Sequence, residues 1–332
     1  MEAFMIRFGI IGTNWITSEF IHSAKRIKDF KLMAVYSRTE ERGQAFAAEH
    51  QVPLVFTDLE EMAKCDEIDA IYIASPNSFH ASQANLLMSH GKHILCEKPL
   101  ASNEAEVNAM ITCAKENNVL LMEALKTTFL PNFKSLQQHL NKIGTVRRYF
   151  SSYCQYSSRY DRYKEGEILN AFDPTFSNGA LMDIGVYCVY PLVTLFGEPE
   201  AITGRCYKLK TGVDGQGSLL LQYGEMEAVI IYSKISNSYV ASEIQGENGS
   251  IIIDHMNPIK EVKIIYKDGT VENISVPQDE PAMYYEALEF IELIKNRKVE
   301  STINSYKNSL ITARIVEEAR KQMNIVYPAD RG

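Results

Sequence analysis

The sequence predicts an α/β fold: a doubly wound parallel sheet over residues 1–125, then a second α+β domain over 126–332 with a large, mainly antiparallel open sheet. Three observations carry this. Up to residue 125, short apolar runs alternate with amphipathic stretches of helical length, the pattern of βαβ units with strands buried on both faces. After 125 the texture changes to Tyr-rich alternation and strand-like runs broken by Gly and Asp-Gly. The chain has 332 residues, of which 45% are hydrophobic and 23% charged, which is enough for two cores.

The first strand is expected over Ile6–Ile11, followed by a helix over Trp15–Lys28, a strand over Leu32–Tyr36 and a helix over Glu40–Glu49. A weaker strand stands at Leu54–Phe56. Ala70–Ala74, His93–Cys96 and Val119–Met122 complete the parallel set, separated by helices over His80–His90 and Asn103–Glu116. In the second half, a helix over Asn132–Asn141 leads into a strand through Tyr149–Tyr156. A second helix starts near Gly179–Ala180 and stops at Phe196-Gly197. From Ala201 to Val276, Asp214-Gly215, Tyr223-Gly224, Asn248-Gly249 and Asp268-Gly269 read as hairpin turns of an antiparallel sheet. Helices over Ala282–Lys295 and Tyr306–Met323 close the chain. One face of such an open sheet needs a cover, so a homodimer or homotetramer built through this sheet is expected.

Acids outnumber bases 42 to 34, a net charge of −8 with no basic block, which argues against nucleic acid as the partner. No apolar run reads as a membrane span. Glu2 stands where a secretory leader would carry positive charge, so the expected location is the cytoplasm. The six cysteines are widely spaced with no CxxC pair, and His90-Gly-Lys-His93 lacks companions, so no metal site is expected. No Gly-x-Ser-x-Gly elbow or P-loop is present.

Between the first strand and first helix lies Gly9-Ile-Ile-Gly12-Thr13-Asn14-Trp15-Ile16-Thr17. A phosphate-binding turn needs a tight bend and backbone N–H groups backed by a helix dipole. On a G-x-G-x-x-G/A frame Gly12 is the first glycine, Asn14 replaces the second and Thr17 the third. Asn tolerates positive φ better than most residues, so the turn remains feasible and its amide can donate to a phosphate. The second strand ends Tyr36-Ser37-Arg38 with Arg42 beyond, where an NAD site would place Asp or Glu. A hydroxyl and guanidinium groups suit a 2′-phosphate, so NADP(H) is favoured over NAD(H). Arg38 stacked on the adenine is the alternative that does not discriminate.

Two further motifs follow: Ala74-Ser75-Pro76-Asn77-Ser78-Phe79-His80 after the fourth strand and Glu97-Lys98-Pro99 after the fifth. With the opening loop, Met122-Glu123-Ala124 and Gly179-Ala180-Leu181-Met182-Asp183-Ile184-Gly185-Val186-Tyr187-Cys188, they resemble the glucose–fructose oxidoreductase/inositol dehydrogenase family (Gfo/Idh/MocA), in order across both domains. The Asp-Ile-Gly-Val-Tyr segment is most similar to the glucose–fructose oxidoreductase and dimeric dihydrodiol dehydrogenase branches; inositol dehydrogenases typically carry His where Tyr187 stands.

The resemblance implies a Rossmann domain holding a pyridine nucleotide, with substrate between its strand ends and the second sheet. It implies Lys98 as the catalytic lysine, before a cis Pro99, and Asp183 and Tyr187 as the other catalytic positions. On a helix those two, four apart, share a face. Tyr187 is read as the proton donor or acceptor with Lys98 as its electrostatic partner, or with the roles exchanged; Asp183 orients a substrate hydroxyl or holds Lys98. Gly12, Thr13, Asn14, Trp15, Ile16, Ser37, Arg38, Arg42, Ser75, Pro76, Asn77, His80, Glu97 and Lys98 are the expected cofactor contacts. His80 capping the next helix, and Glu97 merely ending its strand, stand as alternatives. Glu123, Tyr156, Arg162 and Phe172 are candidate substrate contacts.

The implied function is an NAD(P)(H)-dependent oxidoreductase acting on a sugar, polyol, diol or small hydroxy-carbonyl compound. A glycosidase with a tightly held nicotinamide and a dinucleotide-binding regulator without turnover are the alternatives. Retention of Lys98, Asp183 and Tyr187 weighs against the regulator.

Overall fold

A computed structural model describes residues 5–331; the start of the chain through Phe4, read above for a leader, lies outside the described residues. The chain divides into two compact units. The first comprises 1–126 and 280–306, the second 127–279 and 307–332.

In the first unit β1 (Ile6–Ile11), β2 (Phe30–Tyr36), β3 (Leu54–Phe56), β4 (Ala70–Ile73), β5 (His93–Glu97) and β6 (Leu121–Ala124) form one parallel sheet in the order β3-β2-β1-β4-β5-β6. The helices between them are α1 (Trp15–Ala24), α2 (Glu40–His50), α3 (Leu59–Lys64), α4 (His80–Ser89) and α5 (Glu104–Glu116). The sheet order reverses between β1 and β4, and such a switch point is where open parallel sheets take ligands. The core is aromatic: Phe20 stacks on Tyr72 at 3.8 Å and Phe8 contacts Phe30 at 4.9 Å.

A division at residue 125 does not describe this unit, because α9 (Ala282–Lys295) returns to it. Met283, Ala287, Phe290, Ile291 and Ile294 make its buried face, with Phe290 5.9 Å from Phe8. Lys295 then pairs with Asp29.

The second unit carries eight strands: β7 (Val146–Cys154), β8 (Ala201–Lys208), β9 (Asp214–Tyr223), β10 (Met226–Ser233), β11 (Ser242–Gly246), β12 (Gly249–Ile253), β13 (Val262–Tyr266) and β14 (Val271–Asn273). Their order is β14-β13-β12-β11-β7-β10-β9-β8; only β7 and β10 pair in parallel. Helices α6 (Pro131–His139), α7 (Ser158–Lys164), α8 (Val186–Phe196) and α10 (Tyr306–Gln322) belong here. Tyr149 Oη donates to Cys188 O, tying β7 to α8, while Gly204 on β8 leaves room for Met323 and Ala319. Alternation separates the faces: Leu219 and Leu221 are buried and Leu220 between them is 51% exposed.

Asp214-Gly215 is not a hairpin turn. It opens β9, and the Asp214 carboxylate is fully buried, accepting from Leu181 N at 2.7 Å. By length and composition 174–196 is apolar enough to cross a membrane, contrary to the reading from sequence; 78% of its apolar window is buried, as in a core helix.

Candidate active site

The first unit carries the dinucleotide-type turn. Gly12 adopts φ +103, and a Cβ there would stand 2.6 Å from Ala74 O, so only glycine lets the loops after β1 and β4 meet. Asn14 is extended (φ −113) and N-caps α1: Oδ1 accepts from Ile16 N at 3.1 Å and Thr17 N at 3.2 Å. Its Nδ2 donates to Ala74 O at 2.8 Å. The positive φ expected at Asn14 is therefore carried by Gly12, and the amide expected to reach a phosphate is committed to the loop. Thr13 is half-buried beside it and Trp15 is 67% exposed. A glycine cradle at the switch point, with a capped helix N-terminus behind it, fits a dinucleotide.

Beyond β2, Ser37 is buried and Arg38 and Arg42 are exposed. Neither arginine has an acidic partner among the described residues, whereas Arg7, Arg26, Arg147, Arg148 and Arg162 are each ion-paired.

Lys98 follows β5, its peptide to Pro99 is cis, and its neighbours are fastened from three sides. Glu97, 8% exposed, accepts from Tyr72 Oη at 2.6 Å and from Lys98 N at 3.3 Å. His80 places Nδ1 3.0 Å from Pro99 O and Nε2 2.9 Å from Ser75 O. Glu123 accepts from Leu100 N at 3.0 Å. Glu286 on α9 is fully buried, and burial, reinforced by the Glu97 charge, pushes its carboxyl well above the usual range. On the loop after β4, Ser75 Oγ donates to Gln83 Oε1, and Asn77 opens a short 3₁₀ turn behind Pro76.

The second unit supplies another cluster. Asp183 lies in a π-helical turn, Leu181–Gly185, that runs into α8, so the uniform α-helix expected to align Asp183 with Tyr187 is interrupted. Such a turn has no distinct residue pattern, which is why it was not foreseen. Asp183 is ion-paired with Lys234, just beyond β10. Tyr187 is 6% exposed and meets the Tyr153 ring edge-on at 5.7 Å.

Tyr156 Oη donates to Asp161 Oδ1, and Arg162 grips Glu167. Phe172 is fully buried beneath Tyr160 and Tyr163, at 5.8 and 5.3 Å.

Residues 6–125 match the family described as oxidoreductases with an NAD-binding Rossmann fold, and 138–252 match the Gfo/Idh/MocA C-terminal domain. The chain is 60% identical, over 98% of its length and all of that protein's, to the scyllo-inositol 2-dehydrogenase (NADP(+)) IolU of Bacillus subtilis. The chain belongs to the Gfo/Idh/MocA oxidoreductase family. It is also 31% identical to the trans-1,2-dihydrobenzene-1,2-diol dehydrogenase of Xenopus tropicalis, over 97% of this chain and 99% of that one. In fold it matches levoglucosan dehydrogenase in complex with NADH and levoglucosan, at 19% identity and a TM-score of 0.86 over 96% of this chain and 97% of that one.

Five of the positions read from the sequence as cofactor or substrate contacts have partners within the protein. His80, with no exposed surface, braces the loops that hold Ser75 and Pro99. Both Glu97 oxygens are engaged in holding the strand end. Glu123, 3% exposed, holds Leu100. Phe172 lies beneath a tyrosine layer. Arg162 is neutralised by its own helix's neighbour. Lys234 was not singled out: a lysine after a strand carries no sequence signal, and only the tertiary pairing with Asp183 reveals it.

Proposed function

We propose that this oxidoreductase is an NADP(H)-dependent dehydrogenase of neutral polyols and related hydroxy-carbonyl compounds, moving hydride between the nicotinamide and a carbinol carbon. The observation that carries the cofactor choice is the end of β2, with two exposed arginines that have no acidic partner among the described residues and no carboxylate at Ser37-Arg38. The 60% identity to a scyllo-inositol 2-dehydrogenase supports cyclic polyols as the first substrates to try. Three cations of the second unit are matched, Lys234 by Asp183, Arg162 by Glu167 and Lys164 by Asp161, which favours a neutral substrate over an anionic one at these positions.

The bound nicotinamide supplies or accepts the hydride, and the protein moves the proton on the adjacent oxygen. Tyr187 donates or accepts that proton while Lys98 stabilises charge on the oxygen, or the two exchange roles. Asp183 accepts from a substrate hydroxyl and so orients the ring. Gly12, Thr13, Trp15 and Ile16 would hold the pyrophosphate, and Ser75, Pro76 and Asn77 the ribose. The half-apolar outer face of the second sheet, with Leu220, Val229 and Phe150 in register on β9, β10 and β7, is read as the surface for a second copy.

The test is NADP⁺ with scyllo-inositol, followed at 340 nm. Absorbance should rise, and Lys98→Ala should lose at least about a hundredfold in kcat while still binding NADPH. Near-normal turnover of that variant contradicts the site; release of a leaving group from a glycoside with no absorbance change contradicts the reaction class.

A further inference from the structure

Lys234 is fixed on every side. Its N–H donates to Gly215 O at 2.8 Å, and its carbonyl accepts from Ser157 N at 2.9 Å. Its side chain is 6% exposed, with the ammonium 5.7 Å from the centre of the Phe172 ring, itself clamped by Tyr160 and Tyr163. A buried ammonium needs a matched anion, and here it meets Asp183 Oδ2. The two side chains differ in exposure: Asp183 is 31% exposed and Lys234 6%. The carboxylate thus faces outward with the cation beneath it.

The π-helical turn does not need this ion pair as a fastening. Asp214, from β9, already ties Leu181 N to the sheet, and Asp183 N donates to Gly179 O. Lys234 therefore acts on the Asp183 side chain, which it holds from the sheet side.

We infer that Lys234 is a positioning residue, a buried cation that orients the Asp183 carboxylate toward a substrate hydroxyl. This rests on the proposed role of Asp183. The same logic governs metal-bound histidines, whose outer hydrogen bond fixes ring orientation. Phe172 belongs to this device: the ammonium lies over its ring at 5.7 Å, and Tyr160 and Tyr163 pack against it.

The test compares Asp183→Asn, Lys234→Met, Lys234→Arg and the Asp183→Asn/Lys234→Met double variant, in NADP⁺-dependent oxidation of scyllo-inositol. NADPH titration of Trp15 fluorescence checks that each variant is folded. Lys234→Met should lower kcat at least about tenfold with NADPH binding intact, and Lys234→Arg, which keeps the charge, should recover part of the loss. The double variant should match Asp183→Asn within about twofold, because the lysine acts only through the carboxylate. The double variant buries no unpaired ion, so this comparison stands even if Lys234→Met alone does not fold. If the double variant loses a further tenfold, or Lys234→Met keeps the original kcat while Asp183→Asn loses it, Lys234 is not a positioning residue and the site reading survives. If Asp183→Asn turns over normally, the reading of Asp183 falls, and this inference with it.

Discussion

One amide at Asn14 does three things: it caps two N–H groups of α1 and pins the loop to Ala74 O. Removing it as Asn14→Ala should cost about 1 kcal/mol of first-unit stability, the usual loss on deleting a helix cap. Denaturant unfolding followed by Trp15, the single tryptophan, measures this directly; an unchanged midpoint and slope would mean that the cap is idle. The position of Asn14 was legible from the strand–turn–helix spacing, but its work was not. Asn is both a strong cap and the residue most tolerant of positive φ, and only the neighbouring Gly12, at φ +103, shows which property is used. His80 and Glu97 carry the same lesson. Motif position marked them, but burial decides that they hold the Lys98 loop.

The first six strands were readable at the scale of the element because parallel strands buried on both faces are continuous apolar runs. β1 falls on Ile6–Ile11 as expected, while β6 lies two residues later than the apolar run suggested, at Leu121–Ala124. One element and one packing partner were not readable. The π-helical turn at Leu181–Gly185 shares its composition with the α-helix it interrupts. Helix α9 shows its apolar stripe in the sequence, yet a stripe does not say which sheet it covers. Phe290→Ala should therefore cost about 3–5 kcal/mol in the unfolding transition reported by Trp15, although it lies some 275 residues further along the chain. If that transition keeps its midpoint, α9 does not belong to the nucleotide unit.

For the whole molecule, two architectures share one chain: the unit with the parallel sheet carries the Gly12 turn and Lys98, and the unit with the eight-stranded sheet carries Asp183 and Tyr187. Family membership follows from the ordered motifs along both units. The details of 150–178 were not legible, because this segment folds into the short helix α7 and a tyrosine layer, Tyr160 and Tyr163, that packs on Phe172, a residue outside the helix. The central claim is the NADP(H) site at the end of β2. The most direct measurement is a parallel titration of Trp15 fluorescence with NADPH and NADH, in the natural protein and in Arg38→Ala. NADPH should bind at least about tenfold more tightly than NADH, a difference of about 1.4 kcal/mol, and Arg38→Ala should erase most of that preference without weakening NADH. NADH binding as tightly as NADPH in the natural protein would contradict the account.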